Sequence, residues 1–253
     1  MKLNVNYKIL TLDVNNFGTT SRIHPVLIWD GDGATLVDAG YPGQFEPLRK
    51  AVEQEDVPFT HIRRVIITHQ DWDHIGTLPD ILRTLGSKVE IYAHSQEKPY
   101  LEGSIPYIKT TPERIAARLR SLPENMRAKA AAVFAGIPTA RVHRTIADGE
   151  ILPFHGGLQV IHTPGHTPGH VCLLLKSHRL LIAGDQLRVE QGFLVGPAEE
   201  YTPDMVTALA SLKKLVGMDI DGVSCYHGGF FGPNASERIA ELAAAGNSHS
   251  SNF

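Results

Sequence analysis

The chain has 253 residues, 42% of them hydrophobic and 20% charged, with a formal net charge of −3. It carries enough apolar material for a full core, and without basic or aromatic clustering it points to neither nucleic acid nor a membrane as partner. Residues 1–6 lack the apolar stretch of a secretory leader, no run approaches the roughly 18 apolar residues of a membrane span, and the two cysteines, Cys172 and Cys225, sit in apolar runs as reduced core residues, so a cytoplasmic protein is expected.

Residues 7–12, 25–30 and 34–37 are apolar and partly β-branched, and Asp30-Gly31-Asp32-Gly33 reads as a hairpin turn between the last two. Residues 42–53 place Phe45, Leu48, Ala51 and Val52 at helical spacing. Residues 64–68 form a short buried-type strand, followed by a polar run at 69–74, a helix at 76–85 and a strand at 88–94. This alternation predicts layered α/β architecture. The stretch from about 95 to 147 predicts two helices: one starts at Pro112 behind Thr110-Thr111, and the second covers 124–134. It reads as a helical insertion in a single domain spanning 1–246, because some fifty residues make a poor independent core. Strands are expected at 158–162, 171–176 and 179–183. A helix follows over 203–216 with Thr202 as N-cap, then a strand at 222–226, a helix from Asn234 and a frayed polar tail at 247–253. Thr35-Leu36-Val37-Asp38-Ala39-Gly40 and Leu181-Ile182-Ala183-Gly184-Asp185 echo each other, which suggests two related β-rich halves in one sandwich.

Thirteen histidines are the compositional oddity, and their placement gives them meaning. Thr68-His69-Gln70-Asp71-Trp72-Asp73-His74 puts four candidate ligands directly after an apolar strand, and neutral imidazoles with ionised carboxylates suit Zn, Fe or Mn. His162-Thr163-Pro164-Gly165-His166-Thr167-Pro168-Gly169-His170 follows a second strand, Asp185 a third and His227 a fourth. Each motif alone also reads as a solvated polar loop. Together they describe several strand ends converging on one metal centre.

On these residues the chain resembles the metallo-β-lactamase superfamily from about residue 7 to about residue 230. Its pattern of His-x-His-x-Asp-His, Gly-His, a lone Asp and a final His falls on His69, Asp73, His74, His166, Asp185 and His227. The resemblance implies a four-layer αββα sandwich, with His69, Asp71 and His166 on one metal, Asp73, His74 and His227 on a second, Asp185 bridging, and Asp38 supporting from behind. Asp71 departs from the pattern, which usually has His there. If it ligates, three carboxylates and one hydroxide balance two divalent cations, leaving a nearly neutral centre and a weaker Lewis acid. If it points away, the first metal keeps only two histidines and Asp185. His170 is read as a supporting or pocket residue, His162 as a strand-end cap, and His24 and His94 as ordinary histidines.

The resemblance implies a hydrolase in which a hydroxide held between two divalent ions attacks a carbonyl, with Asp73 relaying a proton. Zinc is the first expectation for the metals, with iron or manganese as alternatives. The Thr-Pro-Gly-His element looks most like the lactonase and hydroxyacylglutathione-hydrolase branch, so a lactone, ester or thioester of small size is the expected substrate. Iron-dependent redox chemistry, of the oxygen-reducing di-iron or sulfur dioxygenase kind, and β-lactam hydrolysis stand as alternatives. Tyr201 and Tyr226 are candidate helpers. Tyr100, Ile105, Tyr107, Ile108 and Phe134 either roof a pocket or pack the insertion. Six basic residues against two acidic over 109–129 serve either an anionic substrate or a solvated helix face.

Overall fold

The computed structural model describes residues 4–16, 19–136 and 138–249 of the chain. The first half begins with β1 (Asn6–Ile9), the hairpin β2 (Leu12–Asn16) and β3 (Thr19–Ile23), and the hairpin β4 (Val26–Asp30) and β5 (Gly33–Val37). It continues through α1 (Phe45–Glu53), β6 (Ile62–Ile67), α2 (Trp72–Ile75), α3 (Leu78–Leu85) and β7 (Glu90–His94). The helical stretch consists of α4 (Lys98–Leu101), α5 (Pro112–Ser121) and α6 (Glu124–Ala135), after which β8 (Arg144–Ile146) returns to the sheet. The second half runs through β9 (Ile151–Leu152), β10 (Leu158–His162), β11 (Val171–Leu175), β12 (Leu180–Ile182) and the hairpin β13 (Arg188–Glu190) and β14 (Phe193–Val195). It ends with α7 (Met205–Leu212), β15 (Gly222–Cys225), β16 (Gly229–Phe231) and α8 (Ala235–His249).

Two six-stranded sheets form the centre, in the orders β1-β4-β5-β6-β7-β8 and β16-β15-β12-β11-β10-β9. The period-2 alternation of each strand sorts its side chains between two cores. Val26, Ile28, Val37 and Ile66 of one sheet meet Val160, Val171, Leu173 and Ile182 of the other. On the outer face of the first sheet, Leu27, Leu36, Val65 and Ile67 pack with Leu48 and Val52 of α1 and Leu78 and Ile81 of α3. On the outer face of the second, Cys172, Leu174, Leu181 and Val223 pack with Leu212 of α7 and Ile239 of α8. This is the expected αββα sandwich. Strands covered on both faces must be apolar on both, which is why 65–67 and 171–175 read as unbroken apolar runs. Burial of each such side chain contributes about 1.5–3 kcal/mol.

The pairs β5–β6, β6–β7 and β12–β15 are parallel, so the loops after β5 and β6 leave one end of the first sheet and those after β12 and β15 one end of the second, and the Val171 N–H donates to the Thr68 carbonyl at 3.0 Å where the two ends meet. Those loops carry Asp38, the 68–74 segment, Asp185 and His227. Both cysteines are free and buried in the outer core, where burial pushes the Cys172 thiol up to about 12. Among the described residues no helix is long and apolar enough to cross a membrane.

Three local expectations are corrected. Asp204 rather than Thr202 caps α7: its carboxylate accepts from the Thr207 N–H at 2.9 Å, and the helix starts at Met205. The segment 69–74 is not loop throughout, since α2 begins at Trp72 and sets Asp73 and His74 on a helical turn. The last helix continues past Gly246 to His249, and residues 250–253 lie outside the described residues.

Candidate metal centre

The histidines come to the edge already oriented. Asp38, in a left-handed conformation at φ 62°, accepts from the Thr68 N–H (2.9 Å), the Thr68 hydroxyl (2.8 Å) and His74 Nδ1 (2.9 Å). Because the Thr68 hydroxyl hydrogen goes to Asp38, its oxygen accepts from His69 Nδ1 at 3.0 Å. His166 Nδ1 donates to the Thr202 hydroxyl at 3.1 Å. In all three rings these bonds leave the Nε2 lone pair facing inward, the arrangement that fixes metal-ligating histidines.

The inward atoms form two groups. In the first, Asp71 Oδ2 lies 3.3 Å from His69 Nε2 and 3.1 Å from His166 Nε2, while Asp185 Oδ2 lies 3.3 Å from His166 Nε2. In the second, Asp73 Oδ2 stands 3.3 Å from His227 Nε2 and 3.7 Å from His74 Nε2. Asp185 touches this group as well, with Oδ1 3.2 Å from His74 Nε2 and Oδ2 3.5 Å from His227 Nε2. Tetrahedral coordination at about 2.0–2.2 Å places neighbouring ligand atoms roughly 3.3–3.6 Å apart, close to these separations. All seven residues expected from the sequence are thus brought together, divided as His69, Asp71, His166 and Asp185 against Asp73, His74 and His227. Asp71 points in, as the ligating alternative requires.

The donor set fits divalent ions on an independent observation. His69 Nε2, His74 Nε2 and Asp185 Oδ1 are buried without a hydrogen-bond partner among the described residues. Buried polar atoms left unpaired cost about 1–3 kcal/mol each, and one cation in each group would satisfy all three. The electrostatics agree. Burial works against charge on His74 and His227, yet Asp38, Asp185 and Asp73 outweigh it at His74 and Asp185 and Asp73 at His227, holding His74 well above the usual imidazole range and His227 at about 10. The edge draws positive charge. His69, with only Asp71 beside it to offset burial, is pushed down to about 4 and stays a neutral donor.

The loop glycines are there for clearance. A Cβ on Gly165, at φ +128°, would lie 2.2 Å from the Ala208 backbone nitrogen, and one on Gly184, at φ +52°, 2.7 Å from His170 Nε2. His170 has the supporting role expected for it: Nε2 accepts from the Asp185 N–H at 3.1 Å, and Nδ1 donates to the Thr163 hydroxyl at 2.8 Å. His162 Nε2 donates to the Pro168 carbonyl at 2.8 Å, its ring stacks on His94 at 4.1 Å, and His24 Nδ1 donates to the Leu10 carbonyl at 3.1 Å. Tyr226 is structural, its hydroxyl donating to the Asp73 carbonyl and accepting from the Gly40 N–H at 3.2 Å.

Two residues escaped the sequence reading. The Lys109 ammonium donates to Asp71 Oδ2 at 2.5 Å and to His166 Nε2 at 2.6 Å, and together with His69 it holds the buried Asp71 carboxyl well below the usual range. Glu97, fully buried, accepts from the Gln70 N–H (2.9 Å), Gln70 Nε2 (3.0 Å), the Thr167 hydroxyl (2.8 Å) and the Gly169 N–H (2.7 Å). Neither has a local motif: Lys109 is one of six basic residues in its segment, and Glu97 lies 27 residues from Gln70.

Above the carboxylates lies a cavity of about 690 Å³. The insertion roofs it with Tyr107, Lys109, Arg114, Ile115, Arg118 and Phe134, and Phe134 stacks on Trp72 at 5.0 Å. Of the other roof candidates, Tyr100 packs against the outer core and Ile105 is exposed. Tyr201 lines the cavity as well.

Asp71→Ala is expected to weaken divalent-ion binding at the first group by at least about a hundredfold, since even supporting residues of metal sites cost 10–100-fold. The second group should change far less, because Asp71 touches none of its atoms. Competition titration against a chelating dye measures both, and an unchanged stoichiometry and affinity would remove Asp71 from the donor set.

A family model described as the metallo-beta-lactamase superfamily matches residues 19–227. A probable metallo-hydrolase of Bacillus subtilis, YflN, is 30% identical over 220 residues, covering 82% of this chain and 80% of that protein. The hydroxyacylglutathione hydrolase GloC of Haemophilus influenzae is 28% identical over 198 residues, covering 77% and 80%. The crystal structure of the metallo-beta-lactamase family protein TTHA1429 from Thermus thermophilus superposes with a TM-score of 0.69 at 22% identity, over 96% of this chain and 79% of that one, a likeness of fold.

Proposed function

Given that the chain belongs to the metallo-β-lactamase superfamily and is a metal-dependent hydrolase, we propose that it cleaves a carbonyl-type ester bond, in a lactone, an ester or a thioester of small size. The observation that carries this reading is the pair of donor groups sharing Asp185 beneath a half-apolar cavity. Two divalent ions held there, with zinc the first expectation, would supply an activated water and polarise the scissile carbonyl. The chain's own groups provide the remainder. Trp72 and Phe134 offer a flat apolar wall for an acyl or ring portion and keep bulk water from the reacting carbon. Asp73 lines the cavity and is anchored by His227, so its carboxylate can take a proton from the attacking water and return it to the leaving oxygen or sulfur. The Lys109 ammonium, against Asp71 at the cavity wall, sets positive charge beside the first group. The relatedness to GloC favours a thioester within this class.

The test is a panel of simple lactone, ester and thioester probes assayed with protein of measured metal content. Turnover of at least one class is expected, lost on chelation and restored by a divalent ion. Protein carrying two ions that hydrolyses none of the three would overturn the reading.

A further inference from the structure

The charges around the cavity are sorted by the fold. On the insertion, Arg127 is spent on the turn between α5 and α6, donating to the Leu122 and Arg120 carbonyls. Glu113 is turned back onto Thr111 and its own backbone at the start of α5. Lys109 is paired with Asp71, and Arg188, on the second half of the chain, with Glu190. Arg114 and Arg118 are left. They stand one turn apart on α5, both line the cavity, both are exposed, and among the described residues neither guanidinium pairs with a carboxylate. The remaining acid that lines the cavity, Glu200, is engaged by the Tyr201 hydroxyl, and the Arg118 charge is felt at that same tyrosine. The three carboxylates on the floor would be taken up by the ions they hold, and Lys109 stands against the first group, so on the α5 side of the cavity the exposed charge facing a bound molecule is the arginine pair.

We propose that Arg114 and Arg118 form an anion-recognition edge, and that the physiological substrate is an ester or thioester carrying a carboxylate away from the scissile bond. This rests on the hydrolase reading above and narrows it. Two planar guanidinium groups on one helix face match a carboxylate through paired N–H donors, which an ammonium cannot do. The apolar side chains of Trp72, Phe134 and Ile115, which line the same cavity, suit the aliphatic or aromatic spacer of such a molecule. An exposed rim contact acts mainly on capture, so its effect belongs in KM more than in kcat.

The experiment compares the acetyl thioesters of 3-mercaptopropionic acid and of its amide, following the released thiol with metal-loaded protein. We expect kcat/KM for the acid to exceed that for the amide by about tenfold, mostly through KM, and the ratio to shrink as salt is raised from 50 to 500 mM. In Arg114→Gln/Arg118→Gln the ratio should collapse toward one, and Arg118→Glu should invert it. A wild-type ratio near one, or a ratio that survives the double substitution in folded protein, overturns the proposal and leaves the hydrolase reading intact. If neither thioester is turned over, it is the thioester part of that reading that fails. Calorimetric titration with glutarate and glutaramide then decides for the edge: a preference for glutarate that the double variant abolishes sustains it, and a preference that persists, arising at the metals alone, refutes it.

Discussion

Asp185→Asn is expected to lower turnover by at least about two orders of magnitude while the protein remains folded. Asp185 alone among the seven candidate donors reaches both groups, with Oδ2 3.3 Å from His166 Nε2 and 3.5 Å from His227 Nε2, and Oδ1 3.2 Å from His74 Nε2. Burial opposes its negative charge, but His227 and His74 outweigh burial and hold the carboxyl well below its usual range. A carboxamide keeps the shape and deletes that charge, so two cations held close together would lose their shared counter-charge, and one amide edge would present N–H groups to imidazole lone pairs or to a metal. The backbone should not move, because the Asp185 N–H remains bound to His170 Nε2 and Gly184 keeps its close approach to the same ring. The expected loss corresponds to about 2.7 kcal/mol or more of transition-state stabilisation, within what metal polarisation of a carbonyl supplies. Replacing His227 instead should weaken the second group and spare the first. The deciding measurement is turnover together with metal content on folded Asp185→Asn protein. Two retained ions with near-normal rates would leave Asp185 as a strand terminus and nothing more.

The centre was legible in the sequence to the degree that its residues stand directly after apolar strands. His69 follows β6 in the first sheet, and Asp185 and His227 follow β12 and β15, whose parallel pairing carries those two to one end of the second sheet. Covalent neighbourhood does the same for Asp71, Asp73 and His74. What the sequence hid was connection across distance. Thr202 looks like a helix cap because it precedes Pro203, yet its hydroxyl orients His166, 36 residues away, and Asp204 caps the helix. Glu97 sits in a polar run after β7 that gives no sign of burial. In the hairpin, β2 alternates Leu12, Asp13, Val14 and Asn15, but β3 is polar from Thr19 to Arg22, so alternation of hydrophobicity marks only the first of its two strands. The insertion's helices were legible from Thr111 and from their apolar spacing. Their position over the cavity was not, because it depends on the packing of Phe134 against Trp72 and on the bond from the Ile108 N–H to Gln70 Oε1.

Glu97→Ala is expected to be the most damaging substitution outside the donor set. Its two oxygens accept four buried hydrogen bonds that tie together the three segments around the first group. Gln70 lies between His69 and Asp71, Thr167 follows His166, and Gln70 Oε1 in turn holds the insertion at Ile108. Burial pulls the Glu97 carboxyl upward while Thr167, Gln70 and Gly169 pull it back, and the net position is raised. Four donors left without an acceptor in a fully buried spot cost about 1–3 kcal/mol apiece before relaxation, so a loss of about 3–5 kcal/mol after partial rearrangement is the expected size. Glu97→Gln keeps one oxygen and turns an NH2 toward two donors, which should cost about half as much. A support that only stabilised the fold would shift the urea midpoint and leave ion binding alone. Here affinity at the first group should fall 10–100-fold in Glu97→Ala while the second group stays within a few-fold, with Glu97→Gln between. Urea unfolding and dye-competition titration on the three proteins separate the two effects. If Glu97→Ala binds both ions as the wild type does, the carboxylate is a folding element and the first group is positioned without it.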